Sequence, residues 1–273
     1  MTTLTMPSPD RFGDLIAAEW IKTRSLRSTW WTIALAGLFV IGSAAVAALA
    51  DRHNLAAAGT SPHGPADFLP FDAFPQPGYM TLMLVAGSVG AITIVSEYSS
   101  GLIRTTLVAV PARGAVILAK ATVTTALWTA VGTVVATGSF LVSQAILNGR
   151  HAGVPITHPG VPRALVASAL LAPICALVGL GLGVLIRHSA ATMATCAFTL
   201  LMLPTVFSQS RRWSADANHM MVVAAWQRLV QNWDPDPHSR GFSATVTGSW
   251  TVYGLWPLMA VVVAVLVVRR RDV

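Results

Sequence analysis

Histidine, cysteine and carboxylate side chains are the groups with which a protein holds metals or moves protons, and their spacing here favours neither task. The seven histidines stand singly in loops, with no H-E-x-x-H or C-x-x-C spacing to aim two ligands at one ion. Cys175 and Cys196 fall inside apolar blocks, where a thiol acts as a small packing group and not as half of a disulfide or metal pair. A nucleotide site of the common kind needs a G-x-x-x-x-G-K-[ST] loop whose backbone amides cradle phosphates. The only lysines, Lys22 and Lys120, lack that glycine context. No G-x-S-x-G elbow presents a nucleophilic serine, and no apolar block supplies a His or Asp to assist one. The expectation is a chain that is not an enzyme and binds no metal or cofactor of its own.

The elements behind this pattern are long and uncharged. Of 273 residues, 54% are hydrophobic and 11% charged, against roughly 25% charged in an average soluble domain. Six apolar stretches, 30–50, 78–96, 122–147, 164–186, 191–208 and 249–268, contain no Asp, Glu, Lys, Arg or His. Each is near the ~20 residues a helix needs to cross about 30 Å of hydrocarbon. The fifth is the weakest, being short and carrying Pro204. Ala48-Leu49-Ala50 resembles a signal-peptide cleavage site, but the run before it is long for an h-region, so it reads as a retained first span. The fold class is therefore an all-α polytopic membrane protein with six transmembrane helices. Residues 1–29 precede the spans, 30–268 form the transmembrane domain, and 269–273 are a basic tail.

The net charge of +7 lies beside hydrophobic blocks and not in one stripe, which points to membrane orientation, not nucleic acid. With both termini inside, eleven Lys and Arg fall on the cytoplasmic side. Seven, Arg52, Arg150, Arg163, Arg211, Arg212, Arg228 and Arg240, fall outside. The excess places both termini in the cytoplasm.

Three further stretches have helical periodicity. In 10–27, Phe12, Leu15, Ile16, Trp20 and Leu26 share a face, interrupted by Glu19, while Lys22, Arg24 and Arg27 can reach headgroups. This predicts an interfacial amphipathic helix on membrane lipid, with a cytoplasmic extension of the first span as the alternative. In 102–110, Leu102, Ile103, Thr106, Leu107 and Val110 share a face. In 218–233, within the long external loop between spans five and six, Val222, Trp226, Leu229, Val230 and Trp233 do so; that helix either rests on the membrane or packs within a small outer subdomain. Gly179 and Gly183 form a G-x-x-x-G pair, and Gly87 and Gly90 stand together in span two; both sets read as close helix packing.

The segment "SEYSSGLIRTTLVAVPARG" from Ser96 to Gly114, followed by Lys120, resembles the cytoplasmic loop of bacterial ABC transporter permeases of the type-2 (ABC-2) exporter family. "AAEWIKTRSLRSTWW" from Ala17 to Trp31 resembles that family's interfacial helix running into the first span. The resemblance implies a permease subunit of an ATP-driven exporter in the bacterial cytoplasmic membrane, moving a hydrophobic or amphipathic substrate such as a drug, lipid or metabolite. It also implies an ABC-type ATP-binding subunit, which holds the ATP and magnesium, and a second copy of the permease or a related one. The helix between spans two and three then becomes a coupling helix, with Glu97, Arg104, Thr105, Thr106 and Arg113 as candidate contacts for the ATPase. A non-transporting scaffold or sensor holding a cytoplasmic partner is the alternative from another class. A gradient-driven carrier is a third, disfavoured by spans without ionisable groups.

Overall fold

The computed structural model describes residues 11–57, 70–109, 112–149, 152–207, 211–233 and 242–270, and among these every regular element is helical. The first helix, α1 (Phe12–Ser25), begins where the Arg11 amide donates to Asp14 Oδ2 at 3.1 Å, an acidic side chain answering the free amides of a helix start. It stops at Leu26, whose extended backbone separates it from α2 (Arg27–Ala57). The Trp30 indole donates across this elbow to the Arg24 carbonyl at 3.3 Å.

Beyond α2 come a single turn α3 (Pro70–Ala73), then α4 (Gln76–Ser99), the short α5 (Leu102–Ala109), α6 (Arg113–Asn148) and α7 (Val161–Ile186). The fifth apolar stretch is interrupted: α8 (Ser189–Ala197) passes through a π-helical turn, Phe198–Met202, into α9 (Leu203–Val206). Pro204 opens α9, where a missing amide is tolerated, and its carbonyl accepts from Asn218 Nδ2 at 2.8 Å. The chain closes with α10 (Arg212–His219), α11 (Val222–Val230) and α12 (Val246–Arg270).

Among the described residues, six helical segments are long and apolar enough to cross a membrane: Arg27–Asn54, Gln76–Ser99, Arg113–Asn148, Val161–Ile186, Ser189–Val206 and Val246–Arg270. Most exceed the stretches read from the sequence. The 36 residues of α6 reach about 54 Å at ~1.5 Å per residue, so this helix starts well before Thr122 and carries Arg113 and Lys120 within its first turns.

The most enclosed helix is α7, which packs against α4, α6, α11 and α12. Glycines set the α4–α7 distance. A Cβ on Gly90 would collide with the Ala176 carbonyl, and one on Gly179 with the Gly87 carbonyl. Gly183 faces Ile94 from the same crossing, and the free, buried Cys175 and Cys196 lie beside it. On the outer surfaces of α2 and α12, Trp31, Leu35, Leu38, Leu255, Leu258 and Met259 are exposed. An apolar surface of this extent is what a helix bundle presents to lipid hydrocarbon.

The stretch 218–233 is not one helix, because the chain breaks at Met220 and Met221 between α10 and α11. Val222, Trp226, Leu229 and Val230 are buried, while Trp233 is exposed and lies 5.4 Å from the Phe71 ring. Trp226 stacks on Tyr79 at 5.2 Å between centroids and donates its indole N–H to Ser168 Oγ at 3.1 Å. The α11 face therefore packs onto α7 and α4. Two arginines fasten this end: Arg163 donates to the Leu229 and Gln231 carbonyls at 3.0 and 2.6 Å, and Arg228 to the Ala244 carbonyl at 2.8 Å.

Candidate functional site

Four ionisable side chains meet at the opposite end of the bundle, where α1 crosses α4 and α6. Glu19 comes from the middle of α1, Lys22 from one turn later, Glu97 from the last turns of α4 and Lys120 from the first turns of α6. Lys120 Nζ donates to Glu19 Oε2 and, at 3.0 Å, to Glu97 Oε1. Lys22 Nζ donates to Glu19 Oε1 at 2.7 Å and to the same Glu97 Oε1 at 3.0 Å. Glu19, Glu97 and Lys120 are buried at 5%, 6% and 3% exposure, whereas the Lys22 side chain keeps 44% of its surface. Two carboxylates and two ammoniums cancel, which is the condition for keeping charges out of water at all.

Burial by itself would push the Glu19 carboxyl up. The ammoniums of Lys120 and Lys22 outweigh that, and Glu19 is held below its ordinary value of 4.5. Burial pulls the Lys22 ammonium down, but its bonds to Glu19 and Glu97 prevail and hold it above 10.5. Both are thus in their charged forms at neutral pH. One atom is left over: Glu97 Oε2 is buried with no hydrogen-bond partner.

Beside the cluster is a cavity of about 320 Å³ bounded by α1, the start of α2, α4 and α6. Its lining includes Glu19, Lys22, Glu97 and Lys120 together with Val89, Val123, Leu127 and Trp128. A larger apolar groove of about 630 Å³ runs between α2 and α6 under Trp20 and Trp30 and shares Leu127 with the cavity.

Several residues singled out in the sequence take other places. Glu97, read as a docking contact, turns its carboxylate inward to two lysines. Lys22, read as a headgroup anchor, has its ammonium between two carboxylates. Glu19, read as a flaw in the apolar face of α1, is the buried centre of that face. Arg24 and Arg27 are exposed, as are Phe12 and Trp20, while Ile16 is half-buried. In α5, Ile103 is buried and Leu102 exposed, so these two do not share one buried face. The Thr105 and Thr106 hydroxyls both donate to the Leu102 carbonyl, at 2.9 and 3.0 Å. Arg113 is half-buried at the start of α6; the side chains of Arg104 and Leu107, and Val110 as a whole, lie outside the described residues. The spans are also not free of charge, since Glu97 and Lys120 belong to the membrane-length helices α4 and α6.

Gly101 fixes where α5 points. It follows the C-cap Ser100 with φ +73°, the left-handed conformation that ends helices and that glycine adopts without penalty. At the same end, the Arg187 guanidinium lies 4.7 Å over the Tyr98 ring, tying the close of α7 to the close of α4. Among the described residues no three His, Cys, Asp or Glu side chains gather where they could hold a metal ion.

Six apolar helices long enough to span a membrane, packed around a glycine-lined crossing, define a multi-pass membrane protein. Its family follows from the sequence match: the family of ABC-2 transporter proteins matches residues 15–208, from α1 through α9, and the chain belongs to that family. Comparison with curated proteins gives no match. The family is a membrane component of transporters and not itself catalytic; it works in general with an ABC-type ATP-binding partner.

Proposed function

We propose that the chain is the permease subunit of an ATP-driven exporter in the bacterial cytoplasmic membrane, moving a hydrophobic or amphipathic substrate. A separate ATP-binding subunit supplies nucleotide and magnesium, and a second permease, identical or related, completes the path. The observation that carries this reading is the linkage of α1, α4 and α6 by buried ion pairs directly beside the α4–α5 turn. A force on α5 from a docked ATPase reaches two spans and the N-terminal helix together. The excess of basic residues at the α1 end supports cytoplasmic termini. Arg163 and Arg228, which count against that excess, are engaged by backbone carbonyls at the other end.

A gradient-driven carrier is less well supported, even with Glu97 and Lys120 inside membrane-length helices. Proton and ion relays sit near the bilayer midplane, whereas this cluster sits at the end of the bundle. Co-expression with a candidate ABC-type ATP-binding subunit, followed by detergent pull-down and an ATPase assay, tests the proposal. Association weakened by Arg104→Ala or Thr105→Ala supports it. A chain that retains no ATPase, yet gives flux or binds another cytoplasmic protein, replaces it with the carrier or the scaffold.

A further inference from the structure

We infer that the cavity between α1, α4 and α6 is a binding site for a cationic amphiphile whose ammonium donates to Glu97 Oε2 and whose apolar part lies against Val89, Leu127 and Trp128. The inference deepens the exporter reading by naming a substrate class, but binding itself needs no ATPase.

The first observation is the orphaned acceptor. Glu97 Oε1 accepts from both lysines, while Oε2 on the same carboxylate is buried without a partner. A buried carboxylate oxygen left unpaired is costly, and the group that would satisfy it must be a donor. The second is the shape and lining of the space. About 320 Å³ is room for roughly ten water-sized groups at ~30 Å³ each and falls in the range of small-molecule pockets. The lining is mixed: Glu97, Thr93 and Ser96 on α4 and Lys120 and Thr124 on α6 bring polar groups, while Val89, Val123, Leu127 and Trp128 supply apolar and aromatic surface. Such a lining suits a molecule with one charged end and one apolar end.

The third observation decides the sign of that charge. An anion would meet two carboxylates already satisfied or buried. A cation can take over a place that one lysine can leave: Lys22 is half in water on a flexible stem and can swing its ammonium out to solvent or headgroups. Net charge in the cluster is then unchanged, and the link between α1 and α4 opens as the ligand enters. Lys120, fully buried, stays to hold Glu19.

The test uses the full chain in nanodiscs of zwitterionic lipid, with empty nanodiscs as the partition blank, and titrates n-decylamine below its micellar range by calorimetry. Decyl sulfate and decanol serve as probes of matched length. The expected result is saturable binding of the amine, about tenfold or more weaker in Glu97→Gln, as the loss of a hydrogen bond to a charged group implies. It should also be lost in Thr93→Phe, which fills the cavity without touching the ion pairs. Lys22→Gln should tighten binding, because a competitor is removed; a merely structural role for Lys22 would not produce this. Equal uptake by all variants and by empty nanodiscs, or saturable binding of decyl sulfate as tight as that of the amine, overturns the inference. So does loss of binding in Glu97→Gln alone with Thr93→Phe unaffected. Failure of ATPase association with amine binding intact would instead count against the exporter reading only.

Discussion

Replacing Lys120 by methionine removes the ammonium that reaches Glu19 Oε2 and Glu97 Oε1 while keeping an unbranched side chain of similar length. The cluster then passes from neutral to a net charge of −1, with both carboxylates still buried and only Lys22 to share between them. Breaking a buried pair in this way costs about 3–5 kcal/mol. The half-exposed Lys22 and the adjoining cavity let water relieve part of that, so the lower end, about 3 kcal/mol, is expected. At roughly 2–4 °C per kcal/mol for a chain of this size, the midpoint in detergent falls by about 6–12 °C. The nine tryptophans give an intrinsic fluorescence signal for the transition. Adding Glu19→Gln to the same chain restores neutrality, leaving Lys22 paired with Glu97. Contacting residues couple by about 0.5–3 kcal/mol, so the double variant should melt above the Lys120→Met single variant. A single variant within about 1 °C of wild type, or a double variant as unstable as the two losses added together, would show that the four groups do not act as one cluster and refute the reasoning.

Three other perturbations follow from particular groups. Glu19 is held below 4.5 by the lysines, so its contribution is complete above the unfolded value and is lost as pH falls through the folded one; the midpoint should drop on acidification below 4.5, and Glu19→Gln should flatten that drop. Asp72 behaves oppositely, because burial, reinforced by Asp51, pushes its carboxyl from 3.8 up to about 7. The folded state then holds the proton more tightly, stability declines between 3.8 and about 7, and Asp72→Asn should raise the midpoint at pH 8 while removing that slope in thermal melts. At the α4–α7 crossing, Gly90→Ala drives a methyl into the Ala176 carbonyl; overpacking of this kind costs about 1–3 kcal/mol, read as a lowered midpoint, whereas Gly42→Ala, with open space around it, should change nothing.

The spans were legible because each is an uncharged block of about the right length, and hydrocarbon leaves no other solution for such a block. Their ends were less so. The start of α6 was hidden because Arg113 and Lys120 look like loop residues until Lys120 is seen neutralised by Glu19 and Glu97. That neutralisation joins residues 101 and 23 positions apart in the chain, a distance at which no local pattern speaks. The available signal was Glu19 itself: a carboxylate at the centre of an otherwise apolar helix face needs a cation, and Lys120, flanking an uncharged span, was without an assigned partner. The break between α10 and α11 was missed because the apolar period begins only at Val222, and Asn218 to Met221 before it carry no glycine or proline to mark a helix boundary.

Stability alone does not account for the cluster, because replacing a buried ion pair with well-packed apolar residues is often neutral or stabilising. What the charges add is position. Apolar contacts between α1 and α6 would tolerate sliding by a turn, whereas Glu97 Oε1 can accept from Lys22 and Lys120 together only when α1, α4 and α6 stand at one height. Glu97 lies one turn before the Gly101 bend that sets the direction of α5. A tilt of α5 therefore strains the Glu97 contacts first, and the weakest of these is the one to the half-exposed Lys22. The arrangement separates a permanent tie, Lys120 between α4, α6 and Glu19, from a releasable one, Lys22 between α1 and α4. Of the two, only the releasable tie faces both solvent and the cavity, so a ligand and a movement of α5 would act on the same contact.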